Sequence, residues 1–258
     1  MSGMKLPGLS RRGLLRGALL GAAGLALPRA ARAFGDQARL VFAQARHGGR
    51  WDPRPGGLGR LAWEIARRTS IETSPVSHPI GLADPDLFRY PLVVLSGDGA
   101  IPAPGDAEVA SLRRYLSYGG LLLFDDASAA PGGAFQLSAR ALLQRTLPAG
   151  QLVKVPRDHV VYKSFYLLDG PSGRAAASPD LEAVELGGRL AVLYSGNDLV
   201  GAYAKDSLGG WEMEVTPGGE TQREKAIRLG VNIVMYAMCL DYKEDQVHIP
   251  FILKRRRI

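Results

Sequence analysis

The chain has 258 residues, 46% of them hydrophobic and 22% charged, and a formal net charge of +7. That composition excludes a disordered chain, a collagen-like chain and a disulfide-stapled miniprotein, and no apolar run reaches the ~20 residues that a membrane-spanning helix needs. The charge is uneven: Lys5, Arg11, Arg12, Arg16, Arg29 and Arg32 lie in residues 1–33 without a single acid, which leaves +1 for residues 34–258 and gives no reason to expect nucleic acid as a partner.

The first segment has the layout of an export signal. Ser10-Arg11-Arg12-Gly13-Leu14-Leu15-Arg16 carries the paired arginines of a bacterial twin-arginine signal. An uncharged stretch from Gly17 to Leu27 follows, with the length of a signal core and too short to span a bilayer. Pro28 breaks it, and Ala31-Arg32-Ala33 supplies a small-x-small cleavage pattern. The expected partner of this segment is the twin-arginine export machinery, and the expected location of the mature chain is the periplasm. Cys239 is the only cysteine, so no internal disulfide forms. Its apolar surroundings predict a buried, inert thiol.

Beyond the signal, strands and helices alternate. Residues 40–45 read as a strand. Residues 58–69 read as a helix, with apolar residues at 58, 61, 62, 65 and 66. Pro91 to Ser96 is a short apolar run, as in a strand covered on both faces. Asp106 to Tyr118 is helical and is stopped by Gly119-Gly120. Leu121 to Phe124 is a second buried strand running into Asp125-Asp126, and Ser138 to Leu147 is helical. Residues 151–185 are less regular and read as an insertion holding a hairpin or an added lobe. Arg189 to Tyr194 is a buried strand, and Glu220 to Leu240 a long final helix. Residues 246–253 read as an edge strand or tail, followed by Lys254-Arg255-Arg256-Arg257. This pattern predicts one three-layer α/β domain with an open, mostly parallel sheet over residues 34–245.

Several ordered segments carry a resemblance. They are Trp51-Asp52-Pro53, Tyr90-Pro91 leading to Ser96-Gly97-Asp98-Gly99, Tyr115-Leu116 running through Gly119-Gly120 to Asp126, Asp158-His159, Tyr194-Ser195-Gly196-Asn197-Asp198, and Leu229-Gly230-Val231-Asn232. Together they resemble the bacterial domain-of-unknown-function family numbered 4159 over most of residues 38–240. The resemblance implies a flavodoxin-like, class I glutamine-amidotransferase-like sheet and no particular activity. It departs from the amidotransferases at the turn after Phe124, where they carry a nucleophilic cysteine and this chain has Asp125-Asp126.

In an open parallel sheet, ligands bind at the carboxyl ends of the strands. Three polar clusters are expected there: Ser96-Gly97-Asp98-Gly99, Asp125-Asp126 and Ser195-Gly196-Asn197-Asp198. They make Ser96, Gly97, Asp98, Gly99, Ser195 and Asn197 candidates for a ligand crevice, with Trp51 packing a loop over it or simply anchoring one. Asp125, Asp126 and Asp198 are candidate general acids or bases, and Asp125 with Asp126 candidate ligands of a divalent cation. The competing reading for each cluster is ordinary turn and cap chemistry. His159 is the candidate acid–base histidine, against a structural one. His47 lies just past the first strand, while His78 and His248 read as loop histidines. No His/Cys set has zinc spacing, and neither a nucleophile elbow nor a phosphate-binding loop is present. No cofactor is identified.

Two functions remain at this stage. One is an exported non-catalytic domain that binds a ligand or a periplasmic protein partner. The alternative is a metal-assisted hydrolase using acids at the strand ends, which needs Asp125 or Asp126 within reach of Asp198 or His159. The basic tail reads as a solvated end, or as a contact with a membrane surface or an acidic partner.

Overall fold

A computed structural model describes residues 39–255, with side chains described as far as residue 239. The twin-arginine segment, with Arg11, Arg12, Ala31 and Ala33, lies outside the described residues. Residues from Leu40 onward form one compact unit.

The elements in chain order are β1 (Ala43–Arg46), α1 (Gly57–Arg68), β2 (His78–Gly81), β3 (Leu92–Gly97), α2 (Asp106–Ser117), β4 (Leu121–Asp126) and α3 (Ala134–Thr146). They are followed by β5 (Val153–Lys154), β6 (Glu182–Leu186), β7 (Arg189–Ser195) and α4 (Gly219–Arg255). The sheet runs β2-β1-β3-β4-β7-β6-β5. Its first five strands are mutually parallel, and β6 and β5 are added antiparallel at one edge. The strand order reverses between β1 and β3, the switch point of a doubly wound sheet.

Side-chain alternation splits β3 and β4 between two cores. Leu92, Val94, Leu121 and Leu123 face a core built with α1 and α4. Val93, Leu95, Leu122 and Phe124 face a second core built with α2 and α3. The sheet is therefore the middle layer of three. Burial on both faces explains why β3 and β4 read as unbroken apolar runs.

α1, α2 and α3 agree with their sequence signals to within four residues at each end, and α4 begins within one residue of its signal. α2 ends where Tyr115 folds back: its hydroxyl donates to the carbonyls of Tyr90 at 2.9 Å and Leu121 at 3.1 Å. The ring lies where a Cβ on Gly120 would stand, within 2.3 Å, so only glycine fits that crossing. The irregular stretch 151–185 contributes the edge strand β5, most of β6 and one 3-10 turn at Val160–Tyr162. β6 forms a hairpin with β7 through Gly187-Gly188, both at positive φ.

Three expectations are corrected. Residues 246–253 are not an edge strand, because the backbone of α4 continues as helix to Arg255. Helix-favouring Lys243, Glu244 and Gln246 follow Leu240 with no breaker before Pro250, so elongation from the packed part is easy. Cys239 is exposed and not buried. Tyr236 and Ala237 turn toward the core, and the 3.6-residue period carries position 239 to the outer face. His78 opens strand β2, stacked on Tyr90 with ring centroids 5.7 Å apart, and is not a loop residue. β2 itself carries Pro79, which hid it from the pattern; the strand lies at the sheet edge, where a missing N–H is tolerated.

Candidate functional site

The carboxyl ends of β3, β4 and β7 lie side by side. The register aligns Ser96 with Asp125 and Asp125 with Ser195, one row across three parallel strands. By alternation this row faces the α1/α4 side. The next residue of β4, Asp126, faces the α2/α3 side. Neighbours on one strand point to opposite faces, so the Asp125 and Asp126 carboxylates do not converge on one cation.

Asp125 is fully buried. Its Oδ1 accepts from the Leu199 N–H at 2.7 Å and its Oδ2 from the Val200 N–H at 3.2 Å. It thus caps, from another strand, the 3-10 turn Val200–Ala202. Burial pushes its carboxyl up to about 8, and the nearby Asp198 charge adds to the rise against the pull of the two N–H groups. The Ser96 and Ser195 hydroxyls flanking it in the row are buried without a hydrogen-bond partner in the protein.

Asp198 lies three residues past β7, at a φ of 52°. Its side chain has no exposed surface and is held by two arginines. Arg54 donates from Nη2 at 2.6 Å and from Nε at 3.2 Å to both oxygens. Arg174 donates from Nε to Oδ2. The Gly201 N–H adds a bond at 3.0 Å. Burial works against the Arg54 charge, but the Asp198 hydrogen bond and charge outweigh it and raise the guanidinium pKa. Arg54 also donates to the Ala127 carbonyl at 3.2 Å, which ties the β1–α1 loop to the end of β4.

Asp126 accepts from the Tyr194 hydroxyl at 2.7 Å and from the hydroxyl and N–H of Ser128 at 2.5 and 3.1 Å. Burial and the adjacent Asp126 carboxylate hold the Tyr194 phenol well above its ordinary range. Asn197 pairs with the backbone of Ser178 as another strand would, accepting at 2.7 Å and donating at 2.8 Å. This pair, with the Arg174 N–H on the Asp198 carbonyl at 3.0 Å, lays residues 171–179 across the ends of β4 and β7.

Two cavities flank that covering segment. One, of about 260 Å³, is walled by Asp126, Tyr194, Gly196, Gln136, Ser178 and Glu182. The other, of about 480 Å³, is walled by Ser172, Ala175, Asn197, Thr221, Gln222 and Lys225. The smaller one opens on the strand ends and presents a phenol, an amide, a hydroxyl and two carboxylates. Glu182 in its wall is held by Arg140 at 2.7 Å.

The other sequence candidates disperse. Asp98 pairs with Arg50 at 2.7 Å on the surface. Gly97 gives room to the Phe135 ring, which would lie 2.8 Å from a Cβ there. Gly99 has nothing within 4 Å of a built Cβ. Trp51 is half-buried, and its carbonyl accepts from Gln44 at 3.2 Å. His47 has both ring nitrogens engaged: Gly49 N–H donates to Nδ1 at 3.0 Å, so Nε2 carries the proton and donates to the Ser96 carbonyl at 2.9 Å.

His159 does not join the acids. Its Nδ1 accepts from the Val161 N–H at 3.1 Å, capping a 3-10 turn. Its ring meets Tyr236 edge-on at 5.7 Å, and Tyr236 accepts the N–H of Leu190 at the start of β7. The histidine therefore sits toward the amino end of the parallel strands, and burial lowers its pKa despite the charges of Glu185 and Asp158. Among the described residues, no group of three or more His, Cys, Asp or Glu is arranged to hold a metal ion.

Arg54, Arg174, Gln136 and Ser178 were not singled out by the sequence. Arg54 directly follows Trp51-Asp52-Pro53 and had a positional cue. Arg174 and Ser178 lie in the irregular stretch, where no periodicity signals which way a side chain points.

The family model described as "Domain of unknown function (DUF4159)" matches residues 41–238. No curated protein matches the chain. The family match spans well over half of the sequence, and the chain belongs to that family.

Proposed function

We propose that this member of the Domain of unknown function (DUF4159) family is a non-catalytic, exported α/β domain that binds a small polar ligand at the carboxyl ends of β4 and β7. The observation that carries this reading is the occupation of the acids. Asp198 is enclosed by Arg54 and Arg174, and Asp125 is spent on the Leu199 and Val200 N–H groups. A hydrolase would need these carboxylates free to reach a water or a substrate. His159, the candidate acid–base histidine, lies at the other end of the strands.

The cavity of about 260 Å³, which opens on the strand ends, is the place assigned to the ligand. Its phenol, amide and hydroxyl are oriented by their neighbours, which favours polar recognition over chemistry. The strand order supports a flavodoxin-like sheet, in which this end is the usual ligand end. Export rests on the twin-arginine pattern of residues 10–33, and replacing Arg11 and Arg12 together with lysine is expected to leave the chain in the cytoplasm.

Thermal melting of the full chain tests the binding reading, against a panel of polyols, amines and carboxylates and against Mg²⁺, Ca²⁺, Mn²⁺ and Zn²⁺. A ligand selective for the folded state raises the melting temperature by mass action. The expected result is a shift with at least one organic ligand that disappears in Gln136→Leu. A shift produced by a cation and abolished by Asp125→Asn or Asp198→Asn would instead make the site a metal-assisted hydrolase.

A further inference from the structure

A second feature lies between α1 and α4. A groove of about 490 Å³ runs between α1 and α4. Two indoles stand in it, Trp63 on α1 and Trp211 on the loop before α4. Trp63 is 43% exposed, unusual for so large an apolar ring. Arginines stack on both rings. The Arg60 guanidinium carbon is 4.0 Å from the Trp63 ring centre and 5.5 Å from that of Trp211. Arg67 lies 5.1 Å over Trp63, and Arg223 4.3 Å over Trp211. Lys205 approaches Trp211 from the neighbouring turn at 4.3 Å.

The groove's own carboxylates are all spoken for. Glu64 is held by Arg60 and by Arg68 at 2.7 Å. Glu224 is held by Arg68 at 2.7 Å and Arg228 at 2.8 Å. Glu220 is held by Arg223 at 2.9 Å. Glu64 and Arg223 are 4% exposed, so the base of the groove is fixed and not a mobile surface fringe. Four arginines and three carboxylates line the groove, and at its margin Arg228 and Lys205 add two cations against one carboxylate, the exposed Glu212 next to Trp211. Apart from its place over Trp63, the Arg67 guanidinium makes no hydrogen bond or ion pair among the described residues. The Arg60 Nε–H is buried without an acceptor.

We propose that the groove between α1 and α4 is a docking site for an acidic segment of a protein partner, whose carboxylates pair with Arg67 and the outer edge of Arg60 while its chain lies on Trp63. Charge complementarity selects the occupant. A planar guanidinium held flat on an indole keeps its N–H edge free for a carboxylate and loses little entropy on binding. Tryptophan and arginine, partly exposed and rigidly held, are the residue types that dominate binding energy at protein interfaces. The near-neutral body speaks against a broad electrostatic surface for membrane or nucleic acid.

Indole fluorescence of the full-length Trp51→Phe variant reports on the groove, because Trp63 and Trp211 are then the only indoles. The probe is acetylated hexaglutamate, with hexalysine, inorganic phosphate and anionic phospholipid vesicles as comparisons. The expected result is a saturable change with hexaglutamate alone, weakened by salt and by about tenfold in both Arg67→Ala and Arg67→Glu. The Arg67 side chain is exposed and makes no hydrogen bond or ion pair among the described residues, so both variants are expected to melt like the parent. The proposal is overturned if hexaglutamate produces no saturable change, or if both variants bind it as the parent does. It is equally overturned if free phosphate or the vesicles reproduce the change at matched anion concentration.

Discussion

Asp198 and Arg54 lie 144 residues apart in sequence, yet the Arg54 Nη2 stands 2.6 Å from Oδ2 of a carboxylate with no exposed surface. The pair joins the β1–α1 loop to the segment after β7, and Arg174 closes it from the covering segment 171–179. Three separate stretches of chain are thus pinned at one buried charge. Such a cluster stabilises little relative to an apolar replacement, but losing one member strands the others without compensation.

Removing the carboxylate is therefore expected to be costly. Asp198→Ala leaves Arg54 and Arg174 facing each other with no anion between them, and should lower unfolding free energy by about 3–5 kcal/mol. Urea denaturation followed by circular dichroism measures it. Stability within about 0.5 kcal/mol of the parent, the range of an ordinary surface change, would mean that the cluster is solvated in solution.

Asp125 predicts a dependence on pH whose sign follows from its direction of shift. Its folded carboxyl titrates near 8, while in the unfolded chain it titrates at the ordinary aspartate value. Between those values the folded state holds one more proton than the unfolded state. This contribution to stability is complete below the unfolded value and is lost as pH rises through about 8. Asp125→Asn keeps an oxygen for the Leu199 N–H and cannot ionise. The difference in melting temperature between variant and parent is expected to move steadily in favour of the variant from pH 5 to about pH 7 and to level off as pH passes about 8. A constant difference across that range would refute the shift.

Gly201 has a steric role beside the cluster. A Cβ there would stand 2.3–2.5 Å from the Asp198 carboxylate, which two arginines prevent from moving away. Gly201→Ala is expected to destabilise by about 1–3 kcal/mol, the usual cost of overpacking. In the double variant Gly201→Ala, Asp198→Ala the alanine costs less, since its obstacle is gone. A double-mutant cycle in urea reads this coupling, and additive effects would show that the two sites are independent.

Tyr194→Phe tests the wall of the smaller cavity. It deletes the hydroxyl that donates to Asp126 at 2.7 Å and leaves the carboxylate supported by Ser128 alone. The expected loss is about 1–3 kcal/mol, with the fold retained. If the ligand reading is right, the variant also loses binding of whichever organic ligand stabilises the parent. Unchanged binding would move the ligand site to the larger cavity around Asn197 and Gln222.

Much of the architecture is legible in the residues. The apolar runs 92–95 and 121–124 declare strands buried on both faces, and the spacing in 58–66 declares α1, because side-chain periodicity is a local property. β2 escaped because a four-residue edge strand containing Pro79 has no pattern to show. β6 escaped because its stretch of chain mixes turns with short pairing segments.

Local pattern along the chain suffices for the three polar clusters at strand ends, for the buried strands and helices and for the composition of the chain's two extremities. What those polar residues do is settled by folding. Asp125, Asp126 and Asp198 are equally plausible acids when read along the chain. Folding turns Asp125 and Asp126 to opposite faces, brings Arg54 and Arg174 onto Asp198, and carries His159 to the far end of the strands. Those outcomes depend on which distant residues share a space, and on the low dielectric around them. Neither quantity is encoded in local spacing, whereas helix and strand periods are.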